Sequence, residues 1–161
     1  MKKFLNLMAQ GGQNTAPYYE WEYDNAKRIK IVSYTSNSYL KRVIDKGLGS
    51  NKHGAIRPKN CFHNALLACF AWSKIEYVEG YISISGIPLE HSWNRWNGID
   101  FDLTQEILQQ RKVPHYEILS LDGNQVRFWA SELGTTGPYR QDYYYTHVSN
   151  PPIIRKKRKT A

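Results

Sequence analysis

The dipeptide Asn97-Gly98 constrains this chain more than any other short stretch, because it separates two apolar and aromatic segments, Leu89–Trp96 and Ile99–Leu103. Asn-Gly is the preferred pair for a two-residue turn that joins antiparallel strands. The sequence therefore predicts a tight hairpin in which Trp96 faces Ile99. Pairing then continues outward residue by residue, which fixes the neighbours of every side chain in the hairpin.

Side chains alternate between the two faces of a strand, so this register divides the hairpin into two sets. One face carries the polar set His91, Trp93, Arg95, Asp100, Asp102 and Thr104. The other face carries the predicted core, formed by Trp96, Ile99, Phe101 and Leu103 beside Ser92 and Asn94.

Two aspartates on the polar face could serve His91, and the register separates them. Asp102 lies diagonal to His91, within reach of a side-chain hydrogen bond. Asp100 lies one step further away and opposite Arg95, which should hold it in an ion pair. A carboxylate bound to imidazole fixes the tautomer and stabilises the imidazolium. We therefore expect Asp102 to be the partner of His91.

A predicted helix places a cysteine in its first turn. Pro58 disfavours helix upstream, and Asn60 is a plausible N-cap. Apolar residues then recur at helical spacing from Cys61 to Trp72. A thiol at a helix N-terminus beside a protonated histidine has a lowered pKa and becomes a nucleophile. The sequence thus suggests Cys61 as nucleophile and His91 as its base.

Other interpretations of these residues remain open. A cysteine on an apolar helix usually belongs to the core, and we assign Cys69 that role. His63 is an alternative base, although residues two apart on a helix point in different directions. A zinc site is a further alternative, formed by Cys61, His91 and Asp102 with His53 or His63, but no paired ligand spacing supports it.

The remaining segments predict an α+β fold with an antiparallel sheet, because one helix is followed by a run of neighbouring strands. Residues 8–17 are expected to be a loop, and so is Gly47–Lys59. A helix capped by Ser36 or Ser38 should end at Gly47, and a second should run over Asp122–Leu133 and end at Gly134. The expected strands are Arg28–Tyr34, Tyr77–Ser85, Tyr116–Leu121 and Tyr139–Val148.

Composition indicates one domain over residues 1–150 and a basic tail over 151–161. The chain has 161 residues and a formal charge of +8, but Arg155, Lys156, Lys157, Arg158 and Lys159 account for five of the positive charges. We expect this run to be a solvated tail that could also meet nucleic acid or another acidic partner. No stretch has the length of a membrane span. The two cysteines, eight positions apart, favour a reducing, cytoplasmic setting.

Four short motifs resemble the transglutaminase-like cysteine enzymes of the wider papain-like superfamily. The string from Asn60 to Ala65 resembles their nucleophile helix, and Tyr77–Tyr81 their second strand. His91-Ser92-Trp93 is similar to their His-Ala-Trp signature, and Asp102-Leu103-Thr104 to their Asp-Pro-Thr. The resemblance covers residues 58–104, under a third of the chain, and carries Ser92 where the family has alanine.

The resemblance implies a nucleophile helix packed on an antiparallel sheet, with Cys61 as nucleophile, His91 as base and acid, and Asp102 as the orienting acid. It implies an acyl-thioester formed from a protein, peptide or related amide, and requires no metal or cofactor. Asn60 is the candidate oxyanion donor, and Trp93 could line a substrate cleft or pack in the core. Two other classes stay open: a catalytically silent fold that binds or inhibits a partner, and a nucleic-acid module that uses the tail and Tyr143–Tyr145.

Overall fold

A computed structural model of the protein describes residues 1–10, 15–49, 55–109 and 112–149. The chain folds into an antiparallel sheet with helices packed against it, which confirms the predicted α+β class. The described helices are α1 (Lys2–Gln10), α2 (Ala16–Asn25), α3 (Ser38–Leu48), α4 (Cys61–Ala71), α5 (Gly123–Leu133) and α6 (Arg140–Tyr143). Short 3-10 and π-helical segments cover Tyr34–Ser36, Gln105–Gln109 and Tyr144–Val148.

The sheet has five strands in the order β1-β5-β2-β3-β4, and each neighbouring pair is antiparallel. Their bounds are β1 (Lys27–Ile29), β2 (Glu76–Ile84), β3 (Ile87–Trp96), β4 (Ile99–Phe101) and β5 (His115–Leu121). The long hairpin of β2 and β3 forms the centre of the sheet. Residues in the middle of β3 are therefore fixed by backbone pairing with β2 on either side of them along the strand.

The two edges of the sheet approach each other through the segment that follows β1. Ile31 forms a parallel bridge with Asp100, and the N–H of Val32 donates to the Asp100 carbonyl at 2.8 Å. The chain therefore runs from β1, which is paired with β5, to β4 at the opposite edge. The sheet thus curls around its own interior. This curl brings residues from β5 and from the end of β4 within contact of each other.

Helix α4 packs on the central hairpin and anchors the main core. The buried amide of Asn94 donates from β3 to the carbonyl of Ala65 at 2.9 Å, which fixes the helix against the strand. Phe101 and Leu103 are buried in the same core, as the predicted apolar face of the hairpin requires. Helices α3 and α5 supply Leu40 and Val126, among others, to this core.

Helix α5 follows the sequence prediction closely. Asp122 caps its N-terminus and receives the backbone N–H groups of Asn124 and Gln125. The Asp122 N–H in turn donates to the side-chain oxygen of Gln125, which completes a capping box. Gly134 ends the helix in the left-handed conformation that favours glycine.

The N-terminal third differs from the prediction. Met8–Gln10 belong to α1, and residues 16 and 17, also in the predicted loop, begin α2. Pro17 lies in the first turn of α2, where its missing N–H costs nothing. Of the predicted strand Arg28–Tyr34, only the first part is regular strand. Helix α3 is capped by Asn37, rather than by Ser36 or Ser38.

The predicted final strand over Tyr139–Val148 is wrong, because these residues are helical. The carboxylate of Glu79, fully buried on β2, accepts the N–H groups of Tyr139 at 2.6 Å and Arg140 at 3.0 Å. A buried anion at a helix N-terminus satisfies donors that a helix leaves unpaired. Arg140 in turn lies 3.0 Å from Glu22, so the same cluster joins α6 to α2.

Two predictions fall outside the described residues: the basic tail over 151–161 and the possible metal ligand His53. Within the described parts of the chain, every helix is too short or too polar to cross a bilayer.

Candidate active site

The candidate site is formed by side chains from four chain segments, and one of these side chains is the carboxylate of Asp102. Cys61 is the first residue of α4, and His91 lies in the middle of β3. Asp102 follows the last residue of β4, and His115 opens β5. The curl of the sheet explains this convergence, since β5 and β4 would otherwise be separated by two strands.

The predicted register of the second hairpin is confirmed. Trp96 pairs with Ile99 and Arg95 with Asp100 across the Asn97-Gly98 turn. As expected, Arg95 forms an ion pair with Asp100 at 3.0 Å. Arg95 also pairs with Glu117 on β5, at 2.5 Å. Asp100 is thus occupied by a cation and remains apart from the histidine.

Asp102 is the aspartate that contacts His91. The Oδ2 atom of Asp102 lies 2.7 Å from His91 Nε2, and the pair is almost completely buried. This bond leaves Nδ1 as the ring nitrogen that can serve the thiol of Cys61, whose pKa His91 lowers. The imidazole therefore lies between a thiol and a carboxylate.

The half-buried thiol of Cys61 lies in surroundings with opposing effects. Burial raises its pKa, but the hydrogen bond and positive charge of His91 and a hydrogen bond from the Ser92 N–H outweigh it. The net result is a pKa below the usual value for cysteine. Cys69 lies two turns further along α4, where burial raises its pKa to about 12. One helix therefore carries an activated thiol and an inert one.

The Ser92 N–H is available to Cys61 because β4 is short. Ladder pairing between β3 and β4 covers only Asn94, Arg95 and Trp96. Alternate residues of an antiparallel strand direct their N–H groups to opposite neighbours. Ser92 lies beyond the end of β4, so its N–H is directed to the thiol and not to a partner on β4.

His91 is held in its charged form. Burial lowers its pKa, but the charge and hydrogen bond of Asp102, together with Cys61, more than reverse this and raise it to about 10. The lowered pKa of the thiol and the raised pKa of the imidazole both favour a thiolate–imidazolium pair. That pair is the resting state of nucleophilic thiols activated by histidine.

Asp102 is surrounded by donors. Its Oδ1 accepts the Gln105 N–H at 3.0 Å, and its Oδ2 accepts from both His91 and His115. Burial acts to raise the pKa of this carboxyl, but the two imidazoles and their hydrogen bonds hold it well below its usual range. Asp102 is therefore a permanent anion at neutral pH.

His115 is a site residue that the sequence analysis missed. It lies 2.9 Å from Asp102 through Nε2, while Nδ1 lies 2.9 Å from the Val113 carbonyl. Both ring nitrogens thus face hydrogen-bond acceptors. The strand beginning near Tyr116 was predicted, but no local pattern links its first residue to Asp102.

Asn64 is a second missed residue, with a supporting role. Fully buried on α4, it exchanges two hydrogen bonds with the backbone of Arg57 and donates to Thr104 Oγ1 at 3.0 Å. These bonds connect the segment before Cys61, the helix itself and the segment after Asp102. Asn64 therefore connects the first turn of α4, which carries Cys61, with the segment that follows Asp102.

The other sequence candidates have different positions. Trp93 is only 1% exposed, and its indole donates to Asp100 at 3.0 Å, which fits core packing rather than contact with a substrate. Asn60 lies at the N-cap of α4, but its side chain makes no capping hydrogen bond. His63 follows Cys61 by two positions on α4, and the imidazole that contacts the thiol is that of His91.

Three of these side chains could also hold a metal ion. The ligand atoms of His91, Asp102 and His115 lie within 4.8 Å of one another, and all three residues are buried. Two histidines and one carboxylate are a common ligand set for zinc or iron. This set differs from the zinc alternative considered above, because His115 takes the place of Cys61 and of His53 or His63.

Comparison with protein-family models, with curated proteins and with solved structures found no match. The resemblance to transglutaminase-like enzymes therefore stays a prediction, and the functional argument depends on the geometry of the site.

Proposed function

We propose that this protein is a cysteine-nucleophile enzyme of the transglutaminase-like, papain-like type, acting on an amide or related carbonyl. One observation carries the proposal: His91 Nε2 lies 2.7 Å from Asp102 Oδ2, while the same imidazole interacts with the Cys61 thiol and lowers its pKa. Nucleophile, base and orienting group thus follow one another in the order that nucleophilic catalysis requires.

In the first half of the reaction, Cys61 Sγ attacks the carbonyl carbon of the substrate. The new C–S bond forms as the C=O π electrons move to oxygen, giving an oxyanion. When the intermediate collapses, the C–N bond breaks and the His91 imidazolium donates its Nδ1 proton to the leaving amine. The products are the free amine and an acyl-thioester on Cys61.

In the second half, water or a second amine attacks the thioester. Neutral His91 accepts the proton of the attacking molecule, and the C–S bond breaks to restore the thiolate–imidazolium pair. Transfer to water is the reaction of a peptidase, amidase or deamidase, and transfer to an amine is that of an acyl transferase. Asp102 stays ionised throughout and holds the imidazole in place.

The N-terminus of α4 supports oxyanion binding. The first intrahelical hydrogen bond runs from the Asn64 N–H to the Asn60 carbonyl, so the N–H groups of Cys61, Phe62 and His63 precede it. Such groups carry partial positive charge and bind anions. Because the Asn60 side chain does not cap them, they are the oxyanion donors that we propose. A free thiol of this kind suits a reducing compartment such as the cytoplasm.

An activated ester tests the proposal directly. We expect p-nitrophenyl acetate at pH 7 to acetylate Cys61, seen as one acetyl adduct by intact mass and located by peptide mapping. His91→Ala should lose the adduct, because the thiol then keeps its proton. His63→Ala, which removes an imidazole from the same helix, is the matched control and should keep it.

Two outcomes would contradict catalysis. Acetylation of Cys61 and Cys69 at equal rates would exclude an activated thiol. Equal rates in the wild type and His91→Ala would exclude His91 as its base. A silent fold that binds a partner predicts that Cys61 forms no adduct, while the protein stays folded.

A further inference from the structure

A cavity of about 630 Å³ lies beside the candidate active site. Its walls come from the segment around β1, from the helical turn after Asp102 and from the segment that leads into β5. Asp102 and His115 form part of its lining, whereas Cys61 and His91 do not. The cavity has the size of a typical small-molecule site, and the proposed thiol chemistry gives it no role.

The charged side chains around this cavity are mostly cationic. Arg28, Lys30 and Lys112 line it, and all three are exposed. Two carboxylates belong to the described lining: Asp102 is buried against His91 and His115, and Glu106 accepts hydrogen bonds from Ser33 and from the Tyr34 N–H. The positive charges therefore outnumber the negative ones, which favours an anion.

The walls between these cations are apolar. Ile29, Ile31, Val113 and Pro114 line the cavity beside them. A site for a fully polar anion, such as free phosphate, would have no need of four apolar side chains. Apolar walls with a cationic rim instead match a ligand that has an apolar body and one acidic end.

Gln105 adds a second, independent observation. It lines the cavity and is 3% exposed, and among the described residues neither its amide oxygen nor its amide nitrogen has a hydrogen-bond partner. A buried amide without partners is destabilising, because its polar atoms have lost water and gained no hydrogen bond. A ligand that entered the cavity would supply polar atoms to this amide.

We propose that this cavity binds a small amphipathic anion, with its acidic group among Arg28, Lys30 and Lys112 and its apolar body against Ile29, Ile31 and Val113. Carboxylates and phosphate monoesters share this chemistry. The bound molecule lies against Asp102 and His115, on residues that do not include the nucleophile. The proposal is independent of the proposed thiol chemistry.

Calorimetric titration with probes of one chain length tests both parts of the ligand. We expect octanoate or octyl phosphate to bind at a 1:1 ratio at low salt, and the tighter of the two identifies the acidic group. Octyltrimethylammonium, with the opposite charge, should bind at least tenfold more weakly. Inorganic phosphate, which lacks the chain, should also be at least tenfold weaker than octyl phosphate.

Charge reversal locates the site. Arg28→Glu with Lys30→Glu should weaken the preferred probe at least tenfold. The matched control, Lys3→Glu with Lys74→Glu, makes the same change in net charge at exposed positions outside the cavity and should leave affinity unchanged. Val113→Trp should weaken binding without any change in charge, because the indole occupies the cavity.

Three results would overturn the proposal: no saturable binding of either anionic probe, equal affinity for octyltrimethylammonium, or equal loss in the two double variants. Repeating the titration with Cys61→Ser separates this proposal from the proposed enzyme. That variant has no nucleophilic thiol, yet it should bind the probe with wild-type affinity.

Discussion

His115 Nε2 lies 2.9 Å from Asp102 Oδ2, so the carboxylate that contacts the His91 imidazole is itself held by a second imidazole. Its other oxygen accepts the Gln105 N–H. Asp102 cannot rotate without breaking one of these bonds. We therefore regard His115 as a positioning residue, which acts on Cys61 through Asp102 and His91.

Replacing His115 should disturb the thiol without touching it. In His115→Phe, Asp102 loses one donor, which should cost about 1–3 kcal/mol of folding free energy. A less well-held Asp102 stabilises the His91 imidazolium less, so the pKa of Cys61 should rise. The pH dependence of Cys61 alkylation by iodoacetamide measures this shift. His115→Gln, which keeps a donor, should restore part of it, whereas a purely structural role would leave the alkylation profile unmoved.

The two aspartates of the hairpin should have separable effects. Asp102→Asn removes the negative charge beside His91, so the pKa of the imidazole should fall and that of Cys61 should rise. Asp100→Asn breaks the ion pair with Arg95 and should lower stability while the alkylation profile stays that of the wild type. Equal profiles for the two variants would mean that Asp102 is not the orienting group.

Asp102 should also shape stability in acid. Its pKa in the folded protein lies below the usual value, so its contribution is fully present above about pH 4, the unfolded value, and is lost as pH falls through the folded one. Loss of one partner from a buried charged pair costs about 3–5 kcal/mol. We expect the free energy of unfolding of Asp102→Asn to be about 3–5 kcal/mol below that of the wild type at pH 6. The difference between the two proteins should narrow below pH 4. Urea unfolding at a series of pH values measures it.

Gly80 should be required for the approach of β5 to the site. A Cβ atom there would lie 1.9 Å from the Tyr116 carbonyl oxygen, next to His115. Gly80→Ala should therefore push β5 away from β2, cost about 1–3 kcal/mol and slow Cys61 alkylation. Gly98→Ala is the control, because its Cβ meets no atom within 4 Å and the cost comes from a positive φ alone. That variant should lose some stability and keep the wild-type alkylation rate.

Local rules predicted the features that depend on local residues. Asn97-Gly98 gave the register that selects Asp102, and Asp122 with Gly134 gave both ends of α5. The same rules gave a wrong strand over Tyr139–Val148. The helix there begins at the carboxylate of Glu79, a residue far away in sequence, so no local pattern predicts it. His115 could not be predicted for a similar reason: its contact with Asp102 depends on the curl of the whole sheet.

The short strand β4 has a consequence for how the fold treats its own edge. Unpaired backbone groups at a sheet edge are usually a hazard, because a strand from another chain can pair with them and begin aggregation. At this edge the Ser92 N–H interacts with the thiol of Cys61, the first residue of α4, rather than with a foreign strand. A longer β4 would pair with the Ser92 N–H and protect the edge equally well, but Cys61 would then lose its contact with that N–H. The length of one three-residue strand thus decides whether the Ser92 N–H pairs within the sheet or interacts with the thiol.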